Sequence, residues 1–309
     1  MRILEFRAGA ADGVPCVIAL GGFDGMHLGH KRLLSETVKL AKTCDAEPCV
    51  FTFSDLSFKG MPQLLSTEEK YAKMEKMGIR RVFVATFEEV RTLSPWSFFL
   101  RLSQTARLRG LVCGFNFRFG AGGVGTPGTL TALAQNAGVP TVVVPPVSLD
   151  GVTVSSTAVR AALSDGRPEK AATLLGEPYA LCGTVIHGKG LGHTLSFPTL
   201  NLPLDPHLLV PRKGVYLTVC HTDGGNYPAV SNIGVRPTVE KNALPNCESH
   251  LLAEAGDLYG SRLRVSLLRF LRDELPFSDT RTLQQQVARD TEYARAWFSA
   301  NPEAVKREE

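Results

Sequence analysis

The chain has 309 residues, of which 44% are hydrophobic and 21% are charged, and its formal net charge at pH 7 is +4. This length predicts two domains, and this composition excludes a disordered or fibrous protein. No basic run typical of nucleic-acid-binding tails is present, so we expect a small anionic ligand and no nucleic-acid partner.

The distribution of apolar residues predicts a cytoplasmic protein without membrane association. No uninterrupted apolar run approaches the roughly 20 residues that a membrane span needs. Residues 1–13 carry scattered charges and lack the apolar core of a signal peptide. The seven cysteines are far apart and include no C-x-x-C pair, so we expect reduced thiols and no zinc site. The oligomeric state is left open.

The first half of the chain alternates short apolar runs with helical patterns, which predicts a parallel sheet covered by helices on both faces. The predicted strands span residues 16–20, 48–53, 81–85, 110–114 and 141–144. The predicted helices span residues 30–42, 67–77, 97–108 and 129–136, and two short helices at 154–163 and 168–175 close this half. Ligands of such a sheet bind at the carboxyl ends of its strands.

After Pro178 the hydrophobic pattern changes to a period of two, which is typical of antiparallel strands. The predicted strands span residues 179–186, 214–221, 227–232, 247–252 and 262–270. They indicate a small antiparallel β-barrel, on which an amphipathic C-terminal helix over 282–298 packs. We therefore place the domain boundary between residues 1–178 and 179–309.

The sequence from Val17 to His30 predicts a buried strand, a glycine-rich turn and the start of a helix. Backbone amides of such a turn bind anions, and glycine lets a phosphate approach closely. His27 and His30 can donate hydrogen bonds to phosphate oxygens, and Asp24 can orient the loop. No third ligand of zinc spacing is nearby, so we expect no metal at these histidines. The remaining candidate binding residues of the turn are Gly21, Phe23, Gly25 and Gly29.

The turn G-G-F-D-G-M-H-L-G-H resembles the H-x-G-H signature of the nucleotidylyltransferase superfamily, which implies a Rossmann-like domain that transfers a nucleotidyl group. Two later segments narrow the resemblance to bacterial FAD synthetases. G-F-N-F-R-F-G resembles their G-x-N/D-F-x-F-G element and gives Asn116 a role at the nucleotide or flavin edge. V-S-S-T-A-V-R resembles their S-S-T-x-x-R motif, in which Ser156 and Thr157 suit a helix start. Arg160 would then lie one turn inside that helix and stabilise charge on phosphoryl oxygens.

The β domain carries a second set of motifs: G-T-V at 183–185, F-P-T-L-N at 197–201, N-I-G-V-R-P-T at 232–238 and E-S-H at 248–250. In this order they resemble the motifs of riboflavin kinases. The resemblance assigns ligand binding to Gly188, Gly190, Thr199, Asn201 and Arg236. The glycines allow a loop to fold over phosphates, and the oxygens of Thr199 and Asn201 suit the magnesium of Mg²⁺·ATP. Glu248 is the candidate base for the riboflavin 5′-hydroxyl.

Together the motifs cover nearly the whole chain and imply an enzyme of FAD biosynthesis. Its β domain would phosphorylate riboflavin to FMN with ATP, and its first domain would adenylylate FMN to FAD with a second ATP, Mg²⁺ serving both sites. Two alternatives stay open. In one, the first domain has lost its chemistry and only binds nucleotide or flavin. In the other, the chain is a nucleotidylyltransferase that uses CTP and a sugar or polyol phosphate, against which the kinase motifs argue.

The sequence departs from the family pattern in both halves. The usual His-Pro element after Phe53 is missing, which leaves open whether adenylylation is full, slow, altered in nucleotide preference or absent. In the kinase loop, His193 replaces the usual arginine and Ser196 the usual glycine. The effect of these two replacements on the kinase is also left open.

Overall fold

A computed structural model describes residues 1–10, 12–54, 60–187, 199–235 and 245–306. These residues divide into two compact units, Met1–Ser156 and Thr157–Glu309. This division, between residues 156 and 157, lies earlier in the chain than the predicted domain boundary at 178/179. The boundary at 178/179 stays a prediction.

The first unit is built on a parallel sheet, as the sequence predicts. Its strands are β1 (Arg2–Glu5), β2 (Pro15–Leu20), β3 (Glu47–Phe53), β4 (Arg81–Ala85), β5 (Arg107–Gly114) and β6 (Thr141–Val144). They lie in the order β1-β4-β3-β2-β5-β6, all paired in parallel. β3 and β4 lie on one side of β2, whereas β5 and β6 lie on the other, so the direction in which strands are added reverses at β2. The carboxyl ends of β2 and β5 therefore border the crevice in which such sheets bind ligands.

Helices cover both faces of this sheet. They are α1 (Leu28–Thr43), α2 (Thr67–Lys76), α3 (Phe87–Val90), α4 (Pro95–Thr105) and α5 (Pro127–Asn136). Successive residues of β3 belong to different cores: Phe51 packs in one cluster with Phe98 of α4, and Val50 packs in the other with Leu34 of α1. This two-sided burial explains why the strands read as continuous apolar runs.

One boundary in this unit was predicted wrongly. The sequence predicts a helix over 97–108, whereas α4 begins at Pro95 and ends at Thr105. Ser94 caps it by accepting a hydrogen bond from Ser97 N at 3.0 Å, and proline is well suited to the first helical position. β5 then begins at Arg107, because its first residues pair with β2.

The second unit contains the antiparallel sheet. β7 (Ser148–Leu149) and β8 (Val152–Thr153) form a small hairpin at the end of the first unit, followed by α6 (Ser156–Ser164) and α7 (Pro168–Leu175). The larger strands are β9 (Ala180–Thr184), β10 (Thr199–Pro203), β11 (Gly214–Thr222), β12 (Gly225–Val235), β13 (Pro245–Leu251) and β14 (Arg262–Arg272). Their order is β10-β13-β12-β11-β14-β9, and a bridge between Ile186 and Asn201 nearly closes the barrel.

The predicted C-terminal helix is confirmed as α8 (Thr280–Ala300). Ala294 and Phe298 pack against Leu217 and Val219 of β11. Asp279 caps the helix by accepting a hydrogen bond from Thr282 N at 2.8 Å, so α8 begins two residues before the predicted start. Among the described helices, none is both long and apolar enough to cross a membrane.

Candidate active sites

The first candidate site is the turn between β2 and α1, which has a left-handed backbone. Phe23 and Gly25 have φ values of 55° and 80°. A Cβ at Gly25 would lie 2.6 Å from Leu64 Cδ1. Glycine is therefore required here both by the backbone conformation and by the lack of space.

Asp24 orients this turn, as the sequence predicts. Its side chain is buried, and Oδ1 accepts a hydrogen bond from Leu64 N at 2.8 Å. The backbone carbonyl of Asp24 accepts a second hydrogen bond, from Ser156 Oγ, also at 2.8 Å. Thr52 Oγ1 donates to the carbonyl of Gly22 at 3.1 Å. The turn is thus tied to β3, to the segment that follows β3 and to the first residue of α6.

The two histidines lie together at the start of α1. His27 is the N-cap residue, and its Nδ1 accepts a hydrogen bond from His30 N at 3.3 Å. The imidazole rings stack, with centroids 3.6 Å apart and planes 16° from parallel. A Cβ at Gly29 would lie 3.1 Å from the His27 ring, so glycine leaves room for this stack. Gly21 similarly accommodates the ring of Phe23, which a Cβ there would approach to 3.2 Å.

Burial sets the protonation state of His27. Burial lowers the pKa of His27 to about 4, so the ring is neutral at pH 7. Because Nδ1 is an acceptor, the proton of the neutral ring is on Nε2. His27 therefore offers a phosphate a neutral N–H donor instead of a cation.

Asn116 lies on the turn after β5, at the same edge of the sheet as the histidine turn, because β5 pairs with β2. Asn116 is exposed, and the turn is closed by a hydrogen bond of 3.0 Å from Phe117 N to the carbonyl of Gly114. Phe119 anchors the segment in the core, with its ring 5.4 Å from that of Phe98. The structure thus brings the β2 and β5 motifs to one edge.

The S-S-T-x-x-R residues fall on both sides of the packing division. Ser156, in the first unit, contacts the Asp24 turn as described. Thr157 and Arg160 follow on α6 in the second unit, where Thr157 is exposed and Arg160 is half-buried. Arg160 lies one turn inside the helix, as predicted, and its catalytic role stays a prediction.

Sequence reasoning missed a buried lysine near the position where the His-Pro element is absent. Lys70 on α2 is 2% exposed, and its Nζ donates to the carbonyl of Phe53 at 3.0 Å. Phe53 is the last residue of β3, and residues 55–59 lie outside the described part of the chain. A buried ammonium therefore lies at the carboxyl end of β3.

The second candidate site lies on β10 and β13, where antiparallel pairing sets Asn201 directly opposite Glu248 and Thr199 opposite His250. Because side chains alternate along a strand, Thr199, Asn201 and Glu248 share one face of the barrel wall. Asn246 Nδ2 lies 3.3 Å from Asn201 Oδ1 and 3.3 Å from Glu248 Oε1. The structure thus brings the three predicted residues together and adds Asn246, whose spacing of two from Glu248 was the available signal.

A second carboxylate lies on the same face. Asn232 of β12 pairs across from Glu248, and its Nδ2 donates to Glu274 Oε1 at 3.1 Å. A Cβ at Gly234 would overlap the carboxylate of Glu274, so the carboxylate packs closely against the backbone of β12 at this glycine. Asn232 belongs to a family motif in the sequence but was given no role there, and Glu274, which is far in sequence from the motif residues, was not singled out.

Some predicted residues lie outside the described part of the chain, and their roles rest on the sequence. These are Gly188, Gly190, His193, Ser196 and Arg236.

The fold and the two sites define a class of protein: a nucleotidylyltransferase domain of Rossmann type joined to a riboflavin-kinase barrel. The FAD synthetase family model matches residues 10–158, and the riboflavin kinase model matches residues 175–298. The first match covers the parallel sheet except β1, and the second covers the barrel and most of α8.

Curated relatives resemble the chain along nearly its whole length. A protein of Pseudomonas fluorescens described as "Bifunctional riboflavin kinase/FMN adenylyltransferase" is 36% identical over 288 residues, which cover 91% of this chain and 92% of the relative. A protein of Escherichia coli K12 with the same description is 35% identical over 292 residues, covering 92% and 93%. The chain belongs to the family of bifunctional riboflavin kinase/FMN adenylyltransferases.

A solved structure shares this architecture. The crystal structure of a protein described as a macrolide-efflux protein from Streptococcus pneumoniae is 26% identical and matches with a TM-score of 0.86. The match covers 96% of this chain and 100% of that one, so both folds described above occur together there.

Proposed function

We propose that this chain makes FAD from riboflavin in two ATP-dependent steps. The barrel phosphorylates riboflavin to FMN, and the turn after β2 adenylylates FMN. The observation that carries this proposal is that the residues of each motif set lie close together within one domain. His27 and His30 stack after β2, and Asn201 lies opposite Glu248 on the barrel. The bifunctional relatives favour this interpretation over a kinase with an inactive partner domain. The riboflavin kinase match argues against a CTP-dependent enzyme.

In the adenylylation step, the phosphate of FMN attacks the α-phosphorus of ATP and pyrophosphate leaves. The chemistry needs no protein nucleophile, only in-line positioning and donors aimed at the phosphoryl oxygens. His27 supplies a neutral Nε2–H, and the stack fixes the His30 ring beside it. His27 is neutral at pH 7 and adds no positive charge, so the sequence motif alone assigns that charge to Arg160.

In the kinase step, the 5′-hydroxyl of riboflavin attacks the γ-phosphorus of ATP. A bond forms between the hydroxyl oxygen and phosphorus, the bond to ADP breaks, and the hydroxyl proton passes to Glu248. Phosphoryl transfer has a loose transition state, so the orientation of Glu248 counts for more than its basicity. The hydrogen bond from Asn246 to Oε1 holds that orientation.

The residues of the barrel face fit a nucleotide-bound Mg²⁺. Mg²⁺ prefers hard oxygen ligands and takes only one or two from the protein when phosphates supply others. Thr199 offers a hydroxyl, and Asn201 offers the amide oxygen Oδ1, which also accepts a hydrogen bond from Asn246. Within the described residues, the buried Oδ1 of Asn246 has no hydrogen-bond partner. The metal would neutralise charge on the phosphates.

The proposed location is the cytoplasm. All seven cysteines lie in described segments and are free thiols, which fits a reducing compartment.

Chromatography of products tests the two activities. The wild-type chain with Mg²⁺·ATP should convert riboflavin to FMN and FAD, and FMN to FAD with release of pyrophosphate. Glu248→Gln should lower FMN formation by about 10²- to 10⁴-fold and leave FAD formation from FMN intact. His30→Ala should do the reverse, with a loss of about 10²- to 10³-fold in adenylylation. FMN without FAD from either substrate would contradict the adenylylation half, and no turnover would contradict both.

A further inference from the structure

Asn246 occupies a central place in the barrel site, although no motif contains it. It lies on β13 and is 5% exposed. Its Nδ2 is within 3.3 Å of both Asn201 Oδ1 and Glu248 Oε1. An amide NH₂ group has two hydrogens, so this single group can donate to both acceptors at once.

We propose that Asn246 is a positioning residue of the riboflavin kinase site. Its amide nitrogen fixes the carbonyl oxygen of Asn201 for Mg²⁺·ATP and the carboxylate of Glu248 for the riboflavin hydroxyl. The inference rests on the proposed kinase function of the barrel. It concerns how two candidate site residues are oriented, and Asn246 itself takes no proton and forms no bond to substrate.

The orientation follows from donor and acceptor chemistry. A carboxylate only accepts hydrogen bonds, so Glu248 selects the rotamer of Asn246 that presents Nδ2. Nδ2 in turn only donates, so Asn246 selects the rotamer of Asn201 that presents Oδ1. The reversed Asn201 amide would place two donors face to face and would offer a metal its NH₂ group, which cannot act as a ligand.

The other end of the Asn246 amide also indicates a ligand-facing position. Its Oδ1 is buried and accepts no hydrogen bond from the described residues. Buried acceptors in native proteins are nearly always satisfied, and an exception calls for an explanation such as a catalytic role or a bound water or ion. Oδ1 is therefore available to a donor carried by a bound ligand or by water on a metal.

Asn246→Asp tests this proposal, because it keeps the shape of the side chain and replaces the donor with an acceptor. The matched control is Asn226→Asp on β12, where the amide donates to the carbonyl of Val305 and serves no site residue. Both variants are made in the full chain. The readouts are kinase kcat and KM, the Mg²⁺ concentration for half-maximal rate, and the calorimetric affinity for ADP with and without Mg²⁺.

Removing a group that orients a metal ligand typically costs about 10- to 100-fold in metal affinity or activity. We expect Asn246→Asp to lower kcat by about this factor and to weaken ADP binding only when Mg²⁺ is present. FMN adenylylation, measured on the same preparation, should be unchanged and shows that the first unit is folded, and unchanged ADP binding without Mg²⁺ shows the same for the barrel. Asn226→Asp should match the wild type in all kinase readouts.

Two results would overturn the positioning role. One is wild-type kcat and wild-type Mg²⁺-dependent ADP affinity in Asn246→Asp. The other is an equal loss in Asn226→Asp, which would show a general effect on the barrel. The proposed function fails separately, if the wild-type chain does not phosphorylate riboflavin. The ADP titration still decides the role of Asn246 in that case, because it needs no turnover.

Discussion

His27 shows how burial changes the chemistry of a single motif residue. An H-x-x-H pair beside a phosphate site suggests two cations, yet burial lowers the pKa of His27 to about 4. The ring caps α1 with Nδ1 and keeps its proton on Nε2. The neutral ring can thus cap the helix with Nδ1 and donate to a ligand with Nε2–H. Neither role needs the ring to take up a proton near pH 7.

This lowered pKa predicts a specific pH dependence of stability. The ordinary pKa of histidine is near 6.5, so between pH 6.5 and 4 the unfolded chain binds more protons than the folded chain. The stabilisation is fully present above pH 6.5 and is lost as the pH falls toward 4. We expect the free energy of unfolding of the wild type to fall by about 2 kcal/mol more than that of His27→Asn between pH 7 and pH 5.

Asparagine is the suitable replacement, because it retains an N-cap acceptor and does not titrate. Urea unfolding is followed by fluorescence in a Trp297→Phe background, so that Trp96 of α4 reports on the first unit. Equal pH dependence in the two proteins would contradict a lowered pKa.

Local motifs name residues of both candidate sites but do not record the contacts that hold them. Asp24 was expected to orient the turn from its place among glycines, and its carboxylate accepts a hydrogen bond from Leu64 N. Lys70 and Glu274 were missed, because each reaches its site from a distant element through a contact that no local spacing records. Asn246 lies two residues before Glu248, so the alternation of side chains along a strand places both on the same face. It was overlooked because it belongs to no motif.

At the scale of elements, the strands inside both sheets were predicted, whereas two of the four edge strands, β1 and β10, were not. β1 has four residues, mostly exposed, and pairs on one side only, with β4. Its hydrophobic signal is therefore too weak to detect. β10 was read only as a motif, although Leu200 and Leu202 alternate with polar residues at the spacing of a strand. The polar residues of β10 face the candidate site. They were therefore assigned to the motif, and the strand itself was not predicted.

Two arginine–aspartate pairs in the second unit differ in burial, and their removal should differ in cost. Arg272 and Asp290, which join β14 to α8, are 20% and 10% exposed, with an N–O distance of 2.6 Å. Arg212 and Asp273 are 42% and 60% exposed, at 2.8 Å. Asp290→Ala leaves a buried guanidinium without its partner and should cost about 3–5 kcal/mol. Asp273→Ala removes a solvated pair and should cost about 0–1 kcal/mol.

Urea unfolding of both variants is measured in a Trp96→Phe background, so that Trp297 of α8 reports on the second unit. Asp273→Ala serves as the matched control for loss of a bidentate ion pair. Similar losses in the two variants would show that burial does not set the strength of the α8 attachment.

At the scale of the whole molecule, the two candidate chemistries use separate sets of residues on separately built scaffolds. The histidine turn depends on the parallel sheet and its crevice at β2 and β5. The Asn201–Glu248 pair depends on the register of β10 and β13. The product of one site, FMN, is the substrate of the other under the proposed function, so free exchange of FMN with solution becomes a measurable property.

Complementation between two single variants measures that exchange. Glu248→Gln should lack the kinase step and His30→Ala the adenylylation step, so neither alone should convert riboflavin to FAD at more than about 1% of the wild-type rate. Because each variant retains the other site intact, a mixture of the two should form FAD from riboflavin after a lag in which FMN accumulates. The measurement is a chromatographic time course, with each variant alone and the wild type as controls. If the mixture forms FMN but no FAD, while Glu248→Gln still makes FAD from added FMN, FMN does not leave the kinase-competent chain and the two sites are coupled.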